Sequence, residues 1–212
     1  MMVMPTPSSP SRAHAVALIA GDLALNFANS ESGRGSASHQ DHLQTSVDVV
    51  DWLEHAAKLA PAEAIELRDR VAADSAFGDA LLGEARRLRD DVHAVAAAIA
   101  HRADPPQRAV DDLAGLHAHW LAAAQLRPVG GRRGWRWRLA AAPLAAALGP
   151  IALAAVTLVT ERDPHRVKEC AGVACGWLFY DETKNNRRRW CEMEVCGNRA
   201  KQRRRAAREH GA

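Results

Sequence analysis

The sequence predicts a mainly α-helical protein with minor β structure, in which a helical N-terminal domain precedes a small C-terminal module built around four cysteines. Three observations carry this. Apolar residues recur at helical spacing through the middle of the chain. The four cysteines of the 212-residue chain all lie between Cys170 and Cys196. Charge is also unevenly spread: residues 166–212 hold 12 Lys and Arg against 6 Asp and Glu, a balance of +6, whereas residues 1–165 balance at −3. A basic block beside a mildly acidic body suggests an anionic partner at one end, nucleic acid first among them.

Taken in order, residues 1–12 are polar and Pro/Ser-rich and are expected to be disordered, with the helical domain spanning 13–162 and the cysteine module 166–210. Val16 to Ile19 suits a short strand. Leu23, Leu25 and Phe27 alternate as in a strand, yet Asp22 before them also suits a helix start, so both types stay open. Glu31 to Gln40 is Gly/Ser-rich and reads as loop. Thr45-Ser-Val-Asp48 has the form of a capping box, and Val50, Leu53, Ala57 and Ala60 follow at helical spacing as far as Pro61. Pro61 can open a second helix over about 61–73. Leu81, Ala85, Leu88, Val92, Val95 and Ile99 mark a longer third. After Pro105-Pro106, a fourth helix would place Val110, Leu113, His117, Trp120 and Ala124 on its apolar face, with His117 at the core boundary. Gly130-Gly131 and Gly134 flank a Trp135-Arg-Trp137-Arg alternation, read as one or two short strands whose tryptophans pack.

Leu139 to Thr160 is 22 residues without a charge, long enough to cross a bilayer. Nine of them are Ala, and Pro143, Gly149 and Pro150 interrupt the run, so its hydrophobic drive is weak and its helix is expected to be broken or kinked. We therefore read it as a buried core helix and expect no membrane association. No phosphate loop, dinucleotide fingerprint or nucleophile elbow occurs, and no enzymatic activity is expected.

The cysteines follow the pattern Cys170-x4-Cys175, 15 residues, Cys191-x4-Cys196, two pairs of equal internal spacing. Met1 to Pro10 lacks the basic start and apolar run of a secretory signal, so a reducing cytosol is expected, where crowded cysteines serve as metal ligands rather than disulfides. Zinc fits best, because it accepts four thiolates in a closed tetrahedral site. Iron is the main rival, and His165 in place of one cysteine a lesser one. Gly176 and Gly197 follow the second cysteine of each pair, where a turn back toward the metal calls for positive φ and frees amides to donate to the sulfurs. Between the pairs, Trp177 to Tyr180 has strand propensity and Arg187 to Trp190 can return as its partner. Asn198 can then cap a helix running to about Glu209, which gives a treble-clef-like arrangement of hairpin and helix.

Two basic clusters remain: Arg187, Arg188 and Arg189 before the third cysteine, and Arg199, Lys201, Arg203, Arg204, Arg205 and Arg208 on the helix, where Ala200 and Ala207 can face the knuckle. Four thiolates around a divalent ion leave about −2 at the site, which lowers the loaded module to about +4. Any positive field thus depends on where the arginines lie. They are suited to phosphates and, in a major groove, to guanine edges. A solvated helical surface is the bland alternative. Trp177, Tyr180 and Trp190 are expected to form the module's small core rather than to stack on bases.

The string Cys170-x4-Cys-Gly, Phe-Tyr-Asp181, Arg-Arg-Arg-Trp-Cys191, Cys196-Gly-Asn-Arg199-x-Lys201 resembles the CGNR zinc finger. Leu23-Ala-Leu-Asn-Phe-Ala-Asn-Ser30 with Trp52-Leu53 resembles the start of the ABATE domain, the usual N-terminal partner of that finger, although Asn26 and Ser30 stand where that family commonly has Asp and Thr. The resemblance implies a bacterial transcription regulator, stress-related, with Zn2+ on Cys170, Cys175, Cys191 and Cys196 and with DNA contacts in the region Arg187 to Arg208. Docking of a protein or RNA partner and thiolate redox sensing are the alternative functions. A small-molecule ligand or an oligomeric contact of the N-terminal domain is also expected.

Overall fold

A computed structural model describes residues 11–209. Of the segment expected to be disordered, residues 1–10 lie outside the described residues. Ser11 and Arg12 belong to a 3-10 turn, Arg12–Ala15, opened by the Ser11 hydroxyl accepting from the Ala13 amide (3.1 Å). Val16 to Ile19 is not a strand. It is held by single contacts instead of a ladder: His55 donates to the Val16 carbonyl (3.0 Å), Arg188 to Ile19 O (3.0 Å), and the Tyr180 amide to the adjacent Ala20 O (2.7 Å).

Asp22 resolves the ambiguity after it. Its carboxylate accepts from the amides of Ala24 (2.8 Å) and Leu25 (3.3 Å), which nucleates helix α1, Leu23–Ala28. Leu25 and Phe27 are fully buried, and Phe27 meets Trp52 edge-on with ring centroids 4.9 Å apart. The Gly/Ser-rich loop is not wholly irregular, because β1, Glu31–Ser32, pairs antiparallel with β2, Gln40–Asp41, and closes its base. Arg89, only 3% exposed, clamps that base to helix α4, Ser75–Ala100, through Glu31 (2.9 Å) and Asp41 (2.6 Å).

The capping box at Thr45 and Asp48 forms in both directions and starts α2, Ser46–His55. This helix ends earlier than the apolar spacing suggested: Ala57 takes a left-handed φ of 53°, so Ala57 and Ala60 lie beyond it. Helix α3, Pro61–Ala73, opens on its proline as expected. In α4, Leu81, Ala85, Leu88, Val92 and Val95 are buried along one stripe. Helix α5, Gln107–Leu121, buries Leu113 and Trp120, leaves His117 half-buried, and stops short of Ala124.

Strands β3, Ala124–Val129, and β4, Arg132–Trp137, form a hairpin around Gly130 and Gly131, both at positive φ (53° and 80°). The two tryptophans part company. Trp137 packs inward, its indole N–H donating to the Trp120 carbonyl (2.7 Å), whereas Trp135 is 37% exposed, contrary to expectation. Helix α6, Pro143–Thr160, continues through Pro150 without a break. By length and composition it would cross a membrane. Here Ala147, Leu148, Ile151 and Ala152 are completely buried, and the helix packs on α1, α4 and α5 as the spine of the core.

The C-terminal module has a hairpin, but not the expected one. Strand β6, Leu178–Tyr180, pairs with β5, Val167–Glu169, while Arg187 to Trp190 forms no strand. The module is not a tethered appendage either. Val167, Leu178 and Phe179 share one buried cluster with Ala20, Leu25, Ala96 and Leu158 of the helical body.

Gly149 of α6 lies under Trp137, and a Cβ there would come within 2.7 Å of the indole. Gly149→Ala is expected to lower stability by about 1–3 kcal/mol in urea denaturation and to alter tryptophan fluorescence. An unchanged midpoint would contradict this packing.

Candidate metal centre and basic helix

The first cysteine pair occupies the turn between β5 and β6. The Cys170 amide extends the ladder by donating to Trp177 O (2.8 Å), and the chain then reverses through Ala174 and Gly176, at φ 58° and 66°. Gly176 thus plays the part expected of it. Gly197 does not: it ends a single π turn, Met193–Gly197, outside the left-handed region, with the Met193 thioether packed against it. The glycine that the cluster does require is Gly172, where a Cβ would lie 3.1 Å from Cys196 Sγ and 3.3 Å from Cys170 Sγ. Close approach to the sulfurs leaves no mark in local sequence.

The π turn brings Cys196 opposite Cys191 and runs directly into α7, Asn198–Glu209. Asn198 is therefore not a cap. It is already helical, and its side chain donates back to Glu194 O (2.9 Å).

All four sulfurs lie within 4.8 Å of one another, and the Cys175–Cys191 and Cys191–Cys196 separations are both 3.7 Å. All four cysteines are free. A tetrahedron with metal–sulfur bonds of about 2.3 Å has edges of about 3.8 Å, so the spacing is that of a tetrathiolate zinc site. His165 is outside the group. Hydrogen bonding supports the same donor set: Cys170 Sγ accepts from the amides of Gly172 (3.4 Å) and Cys191 (3.3 Å). Hydrogen bonds from Cys175 and Cys191, then these amides, hold Cys170 far below the usual thiol range. The hydrogen bond to Cys170, and then burial, push Cys175 up, and contacts with Cys170 and Cys175 push Cys191 up, because crowded sulfurs cannot all ionise without a cation. A divalent ion removes that conflict. Zinc bound there would hold the knuckle, the π turn and the root of α7 together as a structural ion.

Asp181 organises the span between the pairs. Fully buried, it accepts from Lys168 Nζ (2.6 Å), the Thr183 amide (3.0 Å) and hydroxyl (2.5 Å), and the Arg188 amide (2.8 Å). Burial alone would raise this carboxyl, but the Lys168 and Thr183 hydrogen bonds outweigh it and hold Asp181 well below the carboxylate range. Its partner Lys168 is 13 residues away, too far for a local motif to reveal the pair.

The basic residues separate into two groups. Arg188 is committed internally: its guanidinium donates to Trp190 O (3.0 Å), Ile19 O (3.0 Å) and Cys191 O, and lies over the Phe179 ring. It is not free to grip phosphate. Arg187 and Arg189 are exposed, Arg189 resting against Trp190. On α7, Arg199, Lys201, Arg203, Arg204, Arg205 and Arg208 are all exposed. Ala200 is half-buried toward the knuckle, but Ala207 faces solvent, since the helix runs past the body. Trp177 packs, donating to Ser32 Oγ (2.9 Å), and Tyr180 lies under the Arg162 guanidinium, as a core role requires.

A cleft of about 480 Å³ opens beside the cysteines, between Ser32, His39 and Gln40 of the N-terminal loop and Arg199 and Arg203 of α7. One backbone hydrogen bond bridges its floor, from the Gly33 amide to Cys175 O (3.0 Å).

The fold and the cysteine cluster define a zinc-finger protein with a helical N-terminal domain. The family model for ABATE, described as "putative stress-induced transcription regulator", matches residues 21–162, and that for the CGNR zinc finger matches residues 166–209. The chain belongs to the ABATE family and carries a CGNR zinc finger. Comparison with curated proteins gives no match.

The purified chain is expected to carry one zinc per molecule by elemental analysis, and Cys191→Ser to release it at far lower chelator concentration; equal retention would contradict a four-thiolate site. Because the folded Asp181 value lies below its ordinary 3.8, its contribution is present above that pH and is lost as pH falls below it. Asp181→Asn is expected to cost about 3–5 kcal/mol at neutral pH and to flatten the acid limb of the stability profile. A variant with the wild-type acid limb would show that Asp181 does not govern it.

Proposed function

We propose that this protein is a non-enzymatic transcription regulator that binds DNA through α7, positioned by a structural zinc. The observation that carries the reading is the state of that helix. Residues 198–208 include six exposed cations and no acid, and Arg199, Lys201, Arg203 and Arg208 take part in no ion pair among the described residues. Cations left unneutralised on a helix rooted in a rigid metal knuckle are pre-organised for phosphate, because little of their orientation is lost on binding. Arg187 and Arg189 extend this surface on the preceding loop. The family description supports a regulatory role, and the DNA contact is our reading of α7.

The N-terminal domain is proposed to sense a ligand. The cleft supports this, since anything bound there touches both the domain's loop and the first turns of α7. Thiolate zinc coordination suits a reducing cytosol, which we propose as the site of action.

Binding of zinc-loaded protein to duplex DNA, followed by fluorescence anisotropy, is expected to fall steeply with salt. Replacing Arg203, Arg204 and Arg208 together by Ala should reduce the slope of log affinity against log salt by about 2.7, at about 0.9 for each phosphate no longer neutralised. Wild-type binding by this variant would sink the assignment of α7, and equal or tighter retention on single-stranded RNA would favour an RNA partner.

A further inference from the structure

The helical domain carries a second concentration of positive charge. Residues 122–142 contain five arginines and no acidic residue. Arg127, Arg132, Arg133 and Arg136 lie in the β3–β4 hairpin, and Arg138 follows it; all five are exposed. None is in an ion pair among the described residues, and the Arg127 guanidinium donates only to the neutral Gln125 side chain.

The register sorts the hairpin into two faces. Gln125 pairs with Arg136, Arg127 with Gly134 and Val129 with Arg132, so Arg127, Arg132 and Arg136 share one face. On the other, Trp137 anchors the root while Leu126 and Trp135, directly opposed, are 51% and 37% exposed. From Arg132 to Arg136 the strand advances about 14 Å, the axial rise of about four base pairs of duplex DNA. A two-stranded ribbon is also of a width that a major groove admits.

The hairpin is held firmly at its base. Trp137 donates to Trp120 O and sits on Gly149 of α6, so the ribbon is fixed to the same helix that supports the zinc finger. Leu158, nine residues further along α6, packs with Val167 and Leu178 of the finger. The two roots are thus about 14 Å apart along α6. Two cationic arms on one rigid support can engage one polyanion with the second contact made intramolecular.

We infer that the β3–β4 hairpin is a second DNA-contacting arm, in which Arg127, Arg132 and Arg136 grip the phosphates of the duplex that α7 also binds. The inference rests on the reading of α7 above. An anionic membrane surface is the rival polyanion, and the exposed Leu126 and Trp135 would suit one; α7 offers only alanines for insertion beside its cations, so a duplex is the ligand that both arms match.

The test uses the full-length zinc-loaded chain and labelled duplex DNA over a range of sodium chloride. The triple variant Arg127→Ala, Arg132→Ala, Arg136→Ala is expected to weaken binding at least tenfold at low salt. It should lower the salt slope by about 2.7, with substantial recovery in the corresponding triple Lys variant. Wild-type binding by the hairpin variant alongside a weakened Arg203/Arg204/Arg208 variant overturns the second arm and leaves α7 standing. The converse pattern overturns α7 and supports the hairpin. No duplex binding by the wild type overturns both. If the hairpin variant instead loses co-sedimentation with phosphatidylserine vesicles while its DNA curve is unchanged, the hairpin is a membrane contact and the inference fails.

Discussion

The carboxamide of Asn29 is the contact around which the two parts of this protein are built. Only 1% exposed, it donates to Leu178 O and accepts from the Leu178 amide, both at 2.9 Å, which satisfies an edge of β6 that no strand covers. A buried strand edge without partners would cost several hydrogen bonds' worth of desolvation. Asn29 at the end of α1 removes that cost at Leu178, as the Ala20 carbonyl does at the Tyr180 amide, and together they fix the finger's hairpin against the helical body. Asn26 works beside it, its side-chain oxygen accepting from the Ala20 amide at 2.9 Å. An aspartate at position 26 would offer the same acceptor.

Arginine serves two distinct purposes here. Arg68, Arg89, Arg166 and Arg188 are structural, each committing its donors to carboxylates or carbonyls that bring remote segments together. Arg199, Arg203 and Arg208 of α7 and the five arginines in and beside the hairpin are exposed and take part in no ion pair among the described residues. Net charge, a modest +3 over the chain, conceals this division. What matters electrostatically is which guanidinium groups the fold leaves uncommitted.

Local rules made much of the fold legible. The capping box at Thr45, the proline opening α3 and the apolar stripe of α4 each depend on residues within a turn or two of one another, and each forms as expected. So does the cysteine cluster, because its two pairs have spacings suited to tetrahedral coordination. The errors arise where distant residues decide. Arg187 to Trp190 has the composition of a returning strand, but β6 is paired with β5 and Asp181 draws the Arg188 amide into a loop. Trp135 and Trp137 look alike in sequence, yet only one meets a glycine on α6. Among the candidate DNA contacts, nothing in the sequence separates Arg188 from its neighbours; its carbonyl partners do.

Because Val167, Leu178 and Phe179 belong to the same buried cluster as Leu25, Ala96 and Leu158, the finger cannot come apart without uncovering part of the helical body. Free metal then acts as a thermodynamic ligand of the whole chain rather than of its last 40-odd residues. Above the dissociation constant, each tenfold rise in free zinc adds about 1.4 kcal/mol to the stability of both regions. The stability of the helical body thus rises with the free zinc around the finger, although no helix of that body touches the ion.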